Sequence, residues 1–339
     1  MNKITVVIPN YNGIRYLEGC LKALYRQEIG TPSFEVLIVD NASGDGSIER
    51  AKTLAEEQKA GGSAGITQTR FLCLKENTGF CHAVNVGIQN SQTPYVILLN
   101  NDTKVRPGFV KRLYQAIEKD TGIFSVSAKM LMWDRPDLID DAGDLYTVFG
   151  WAYAVGKGRA ASAYNSPSRI FAACGGAAIY RRSMLEEIGL FDEQHFAYME
   201  DIDIGYRALI HGYSNSYEPR AQVVHYGSAS SGSRYNAFKT RIAAANNVYM
   251  IYKNMPLLQI LWNLPFLMAG FLIKWIFFCR KKMGRLYLAG LLDGLRKSMR
   301  KEGQMHKVRF EKKYFGNYLK IQWMLYKNTV YCMLSKIYY

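Results

Sequence analysis

The segment YVILLNNDT, residues 95–103, constrains this chain more than any other stretch. Its unbroken apolar run reads as a strand buried on both faces, as in a parallel sheet. Whatever follows the last apolar residue then stands at the carboxyl edge of the sheet, where open α/β folds bind ligands. Here that position carries Asn100, Asn101 and Asp102, hard oxygen donors suited to Mg²⁺ or Mn²⁺ beside phosphates. Asn and Asp are also ordinary turn residues, so the stretch gains weight only from matching signals elsewhere.

Those signals recur. ITVVIP (4–9) precedes a helical pattern with Leu17, Cys20, Leu21 and Leu24 on one face. FEVLIVD ends in Asp40 and runs through NASGDGS into a polar helix from about Ile48. RFLCL ends before KENTGF and a helix from about Cys81, and Pro107 reads as the first residue of the helix after NNDT. This alternation predicts an α/β fold with a mostly parallel, Rossmann-like sheet flanked by helices. Residues 58–68 read as a loose surface insertion. Polar residues follow every strand: Asn10, Tyr11 and Asn12, then Asp40, Asn41 and Ser43, then Asn77 and Gly79, then Asn-Asn-Asp. Four such edges in succession predict a binding crevice. No GxGxxG follows the first strand and no GxxxxGK[ST] occurs. Phosphates are therefore expected on a metal rather than in a glycine cradle.

The six cysteines are scattered without metal spacing, which argues against a disulfide scaffold or zinc site. Met1-Asn2-Lys3 runs straight into a strand rather than a leader. Charge is divided unevenly. Residues 1–249 hold 26 Lys and Arg against 25 Asp and Glu, while residues 250–339 hold 17 against 3. The first part reads as an ordinary globular domain, the second as a region that meets a polyanion.

The pieces VVIPNYNG, VDNASGDGS, ENTGF, LLNNDT, MEDIDIGYR and VVHYGS cover about residues 3–230. In this order and spacing they resemble the family 2 inverting glycosyltransferases of the GT-A fold, which use nucleotide-diphosphate sugars. The rhamnosyltransferase-like branch that builds bacterial surface polysaccharides is the nearest in flavour. The resemblance implies a nucleotide-sugar site at Pro9, Tyr11, Asn12, Asp40, Asn77, Gly79, Asn100 and Asn101. Asp40 would accept the N3–H of uracil or thymine, favouring UDP or dTDP, while a turn or cap role would suit it equally on chemistry alone. Asp102 fills the last position of the DxD motif. Asn100 replaces the first Asp, which removes one charge from a Mn²⁺ or Mg²⁺ site. His225 matches a further ligand, and an imidazole tilts the choice towards Mn²⁺.

By the same resemblance, Asp201 is the base that deprotonates the acceptor, and Glu200 and Asp203 position it or the acceptor. Apolar Phe196, Tyr198 and Met199 would raise a carboxyl pKa into a useful range. A dipole-stabilised helix start explains the same three carboxylates without chemistry. Arg207 is spaced to pair with Asp203. Gly175 and Gly176 would lie beneath the acceptor, or else mark tight packing. Residues 228–235 read as a flap that brings Arg234 to the diphosphate.

No charge occurs from Asn254 to Ile273, yet Gln259, Asn263 and Pro265 interrupt the run. A single span would put the basic tail outside, against the positive-inside rule. The expectation is a broken or re-entrant helix pair dipping into an anionic cytoplasmic leaflet, with 285–301 as a basic amphipathic helix upon it. A buried helix with a solvated basic face is the alternative. Aromatics from Phe310 to Tyr339 among lysines suit a headgroup interface, and no nucleic-acid module accompanies them, so nucleic acid is not an expected partner. The chain thus divides into a GT-A nucleotide-sugar-binding domain, 1–249, and a helical membrane-associating region, 250–339. The implied enzyme sits at the cytoplasmic face of the cell membrane, peripheral or monotopic, and glycosylates a lipid-linked or polysaccharide acceptor. A sugar nucleotidyltransferase and an inactive membrane-bound scaffold are the competing readings.

Overall fold

Four apolar runs build the parallel half of the sheet. In the computed structural model, which describes residues 2–61, 65–227 and 235–337, these are β1 (Ile4–Asn10), β2 (Phe34–Asp40), β3 (Ile66–Cys73) and β4 (Tyr95–Leu99). They lie in the order 3-2-1-4, and the register Asn10 opposite Asp40 brings their polar carboxyl ends side by side. Helices α1 (Leu17–Leu24), α2 (Ser47–Gly61) and α3 (Gly79–Gln89) make the crossovers. β1, β2 and β4 carry Val, Ile and Leu on both faces because helices cover both sides, and nearly all their residues are buried. β3 is the exposed edge. The loose insertion expected at 58–68 is shorter than its composition suggests, since α2 runs on to Gly61 and β3 begins at Ile66.

The other half departs from a mostly parallel sheet. β5 (Thr103–Val105), α4 (Phe109–Ile117), β6 (Ile123–Met132), β7 (Ile139–Asp141), β8 (Asp144–Tyr146), β9 (Ala152–Ala154), β10 (Ser168–Ile170), β11 (Ala177–Arg181), α5 (Arg182–Ile188), α6 (Glu200–Ile210) and β12 (Ser214–His225) follow. β11 inserts antiparallel between β4 and β6, and β12 runs parallel to β6, so the ten-stranded sheet is mixed. β8 and β9 form a separate hairpin. Pro107 does not open α4: Gly108 caps it with φ 79°, and the helix begins at Phe109.

The C-terminal helices are α7 (Ala237–Asn254), α8 (Leu257–Arg280), α9 (Gly284–Met299), α10 (Lys301–Met305) and α11 (Phe315–Ile337). The expected broken pair at 254–279 is one continuous 24-residue helix that carries Pro265 within it. Its polar residues face inward. Gln259 and Asn263 are buried, and both donate to Oε1 of Gln322 on α11, at 3.0 and 2.8 Å. The outward face is apolar, with Leu258, Leu261, Trp262, Leu272, Ile273 and Ile276 exposed. α9 is similarly inverted. Gly290 and Gly294 pack so closely on α7 that an added Cβ would meet the carbonyls of Arg241 and Ala245 at 2.4 and 2.5 Å, while Leu288, Leu292 and Leu295 point to solvent.

α7 crosses residue 249, and one core cluster joins Tyr146, Phe171 and Ile202 to Met250, Leu267 and Leu325. The boundary between basic and neutral composition is thus a boundary of surface character, crossed by a shared core. The expectations for Arg234 and the rest of 228–234 in the 228–235 flap, and for Tyr338 and Tyr339, concern residues outside the described ones.

Candidate active site

The strand ends are knitted together by amides. Asn101 donates to Asn10 at 2.7 Å, and Asn10 donates to Asp40 at 2.8 Å, which links the carboxyl ends of β4, β1 and β2. The amides of YNG and NND are therefore partly structural, since buried polar groups need partners. Above them opens a cavity of about 660 Å³, walled by Pro9, Tyr11, Asn77, Gly79, Asn100, Asn101, Asp102, Gly176, Glu200, Asp201 and His225. Asn10, Asn41, Phe80, Cys174, Phe196, Ala197, Tyr198, Phe238 and Lys239 complete it among the described residues; of these the sequence singles out Asn10, Asn41, Phe196 and Tyr198. A larger cavity, about 760 Å³, lies against α11 and contains none of these residues.

Not every expected residue reaches the wall. Asn12 lies outside it and turns its side chain to the backbone N–H of Gly44 at 3.0 Å. Asp40 is buried and accepts from Asn10, from the Ser43 hydroxyl (2.6 Å) and from the Ser43 N–H (2.9 Å), so it closes its own turn. Asp203 is corrected outright. It is fully buried and paired with Arg207 (2.9 Å) and Lys253 (2.9 Å), with Asn254 donating at 2.7 Å. Burial alone would raise its pKa, but Lys253 and Arg207 hold it far below the usual range. Asp203 fastens α6 to α7 and does not line the cavity in which an acceptor-binding residue was expected. The expected pairing with Arg207 is present.

Asp102 and His225 stand at adjacent strand ends because β5, which follows Asp102, pairs antiparallel with β12, which ends in His225. His225 Nε2 lies 3.3 Å from Asp102 Oδ1. Ligand atoms on neighbouring vertices of an octahedron around Mn²⁺ or Mg²⁺ stand about 3 Å apart, so the pair fits one cation. Asp140, on β7, accepts from His225 Nδ1 at 2.6 Å and is itself held by Lys157 at 2.6 Å. Burial alone would lower the imidazole pKa, but the hydrogen bonds and charges of Asp102 and Asp140 outweigh it and raise it to about 9. Asp140 was missed in the sequence because 85 residues separate it from His225. The available signal was chemical: a ligating histidine usually donates its second N–H to a carboxylate.

Alternation along β7 sends the next residue, Asp141, elsewhere. It joins Asp144 and Cys174 in a group whose ligand atoms lie within 4.8 Å of one another. Burial raises Asp141 to about 6 and holds Asp144 and Cys174 well above their usual values, which disfavours the charged forms that bind a cation. Of the three, only Cys174 touches the cavity.

Asp201 is held by the backbone N–H of Gly175 at 2.9 Å. A Cβ on Gly175 would stand 2.8 Å from that same Asp201 oxygen, so Gly175 is small to admit the carboxylate. Gly176, which does line the cavity, would meet Asn100 at 3.1 Å. Burial raises Asp201 well above its usual pKa, with the charge of Glu200 adding to it, and burial brings Glu200 up to about 7. Glu200 Oε2 is buried without a hydrogen-bond partner among the described residues.

The approach to α6 is conformationally strained. Phe196, Tyr198 and Met199 have φ of 60°, 69° and 73°, which non-glycine residues rarely adopt. Gly79, at φ 87°, admits the Phe196 ring where a Cβ would stand 2.5 Å from it. The turn is pinned by Asn246 on α7, which donates to the carbonyls of His195, Ala197 and Tyr198 at 2.7–2.9 Å. Lys297 on α9 holds Gln194 and Asn246 in turn. The C-terminal helices thus set the geometry of the loop that leads into α6.

With this geometry in view, likeness to known proteins can be placed. The glycosyl transferase family 2 profile matches residues 5–189. The chain is 34% identical over 140 residues to the teichoic acid poly(glycerol phosphate) polymerase of Staphylococcus epidermidis, a match covering 41% of this chain and only 18% of that protein. It is 27% identical over 261 residues to the N-acetylglucosaminyl-diphospho-decaprenol L-rhamnosyltransferase of Mycobacterium tuberculosis, covering 68% of this chain and 78% of that protein. Two solved structures share its fold at 16% identity. One is GalNAc-T7 with UDP, GalNAc and Mn²⁺ (TM-score 0.60, covering 75% of this chain and 48% of that one). The other is the mannosyltransferase PcManGT of Pyrobaculum calidifontis with GDP-Man and Mn²⁺ (TM-score 0.52, 97% and 86%). The mixed sheet is the GT-A fold, and the chain belongs to glycosyl transferase family 2.

Proposed function

We propose that this protein is an inverting glycosyltransferase that moves a hexose, rhamnose-like in the leading case, from a nucleotide-diphosphate sugar to a lipid-linked or polysaccharide acceptor during cell-surface glycan synthesis. One observation carries the reading: a single cavity is lined both by Asp102 and His225, which fit one cation, and by Glu200 and Asp201, which fit proton transfer. The coverage of the mycobacterial rhamnosyltransferase supports the branch.

Asp102 and His225 would hold Mn²⁺ or Mg²⁺. When bound, the cation stabilises charge on the departing diphosphate. Asn100, Asn101, Asn77, Gly79, Pro9 and Tyr11 line the donor's place. Asp40, beside Asn41 of the cavity wall, would read a uracil or thymine edge. Asp201 takes the proton of the acceptor hydroxyl as that oxygen attacks the anomeric carbon. The bond to the diphosphate breaks on the opposite face, and the configuration inverts. Gly175 holds Asp201 in line. Glu200 shares the proton load, because two adjacent buried carboxyls do not both ionise readily. The exposed apolar faces of α8 and α9, beside Arg280, Lys281 and Lys282, suit peripheral attachment to an anionic cytoplasmic leaflet. Among the described residues α8 is the one helix long and apolar enough to cross a membrane.

Calorimetric titration of UDP, dTDP and GDP with and without Mn²⁺, on the native protein and on Asp102→Ala, tests the donor site. The expected result is tight binding of one nucleotide that is lost without metal or without Asp102. Binding of none would remove the reading. Asp201→Asn is expected to abolish transfer with nucleotide affinity kept; retention of more than a few per cent of the rate would dismiss Asp201 as base.

A further inference from the structure

Tyr198 and Lys239 line two cavities at once. One is the candidate active site; the other, about 450 Å³, lies between α7, α8 and α9. Its floor is aromatic. Tyr235 meets Phe277 and Phe278 at ring distances of 5.5 and 6.2 Å, and Tyr287 stacks on Phe278 at 5.1 Å. Among the described residues its charged lining consists of two lysines, Lys239 and Lys274, with no carboxylate.

Lys274 is the anomaly. It is the only charge between Lys253 and Arg280, set in the apolar stretch of α8 that follows Asn263. It is half-buried and makes no hydrogen bond or ion pair among the described residues. A partly desolvated ammonium without a counterion is unfavourable, so its place in the cavity points to an anion. Ile273 and Ile276 beside it are exposed on the outward face of α8. An anion seated here therefore has an apolar surface leading away on one side and Asp201 reached past Tyr198 on the other.

We infer that this cavity binds the phosphate head of a phosphorylated long-chain lipid, with Lys239 and Lys274 on the phosphate and the chain laid along α8. A sugar carried on that phosphate extends past Tyr198 and presents its hydroxyl to Asp201. The inference rests on the glycosyltransferase reading and narrows it, making the acceptor a lipid-phosphate glycan rather than a free polysaccharide.

The test uses the full chain in a non-ionic detergent, saturated with Mn²⁺ and the nucleotide it binds so that the donor site is filled. Farnesyl diphosphate, farnesol and inorganic diphosphate are titrated by calorimetry. Farnesyl diphosphate is expected to bind, and the other two at least about tenfold more weakly, since each lacks one half of the contact. Lys274→Met should weaken farnesyl diphosphate about tenfold, and Lys274→Arg should restore it, with nucleotide affinity unchanged in both. Equal binding by Lys274→Met would overturn the inference. So would inorganic diphosphate or farnesol binding as tightly as the amphiphile, because the cavity would then be a plain anion site or a plain apolar groove. If nucleotide binds and the amphiphile does not, the inference fails alone. If no nucleotide binds, the reading beneath it fails.

Discussion

Asp140 accepts the Nδ1 hydrogen of His225 at 2.6 Å, which leaves Nε2 turned to Asp102 at 3.3 Å. The imidazole is thus presented by a carboxylate that never touches the cavity. Outer carboxylates of this kind fix ring orientation and strengthen the histidine as a ligand, and losing one weakens metal binding about 10–100-fold. Asp140→Asn should lower Mn²⁺ affinity in the presence of nucleotide by that factor, measured by titration with electron paramagnetic resonance of free Mn²⁺. The readout is binding, not turnover. An unchanged affinity would make Asp140 a structural ion-pair partner of Lys157 only.

Gly175 has a different relation to its neighbour. Its N–H donates to Asp201, and its missing side chain leaves the space in which Asp201 sits. Gly175→Ala should displace the carboxylate and cut transfer about 100-fold, the range expected when a reacting group moves by about an ångström. Nucleotide affinity should stay within about twofold, because Gly175 does not line the cavity. A parallel fall in nucleotide affinity would mean that the substitution disturbs the donor site as well.

The contrast between these residues shows what the sequence could express. Asp102, Glu200-Asp201 and the polar strand ends were legible because a buried strand or a helix start places its next residue at a predictable edge. The parallel pairing of the first four strands followed from the same alternation, while their order 3-2-1-4 comes from the structure alone. Asp140 was invisible because its partner is distant in sequence, and Asp203 was misplaced because three carboxylates in one helical turn look alike until burial separates them. Gly175 was seen as small but not as facing Asp201. Gln259 and Asn263 misled for a physical reason: in a helix that buries its polar face, polarity marks the inside rather than an interruption.

Two buried carboxylates should give opposite pH signatures. Glu200 has its folded pKa raised by burial to about 7 from an ordinary 4.5. The native state then binds the extra proton, so this contribution is complete at low pH and is lost as pH rises through about 7. Glu200→Gln mimics the protonated acid and should stabilise the protein by about 1–3 kcal/mol at pH 8 with no gain at pH 4. Asp203 is depressed, chiefly because Lys253 and Arg207 overcome the effect of burial. Its contribution is present above pH 4 and is lost only on further acidification. Lys253→Met should destabilise by about 3–5 kcal/mol at neutral pH, since it removes the cation that two buried carboxylates, Asp192 and Asp203, share. Denaturant unfolding across pH 2–8 reads both. A Glu200→Gln gain that does not grow with pH would remove the titration argument.

The leucines of α9 offer a separate check on where the enzyme works. Leu288, Leu292 and Leu295 are 41–53% exposed, while glycines pack the opposite face against α7. In a soluble helix these residues would be exchanged, leucine inward and polar residues outward. An interface that buries the three leucines gains on the order of 1 kcal/mol from each, given their partial exposure. Nearby lysines and arginines add about 1 kcal/mol each on an anionic surface. Changing all three leucines to Gln should reduce partitioning onto phosphatidylglycerol vesicles by about 100-fold. Nucleotide binding should be unaffected, since none of the three lines the active cavity. Raising salt should weaken wild-type partitioning, because the electrostatic part is screened, while the leucine part persists. If wild type and triple variant sediment equally with vesicles, this face meets a protein rather than a lipid surface, and the assignment to the membrane must be given up.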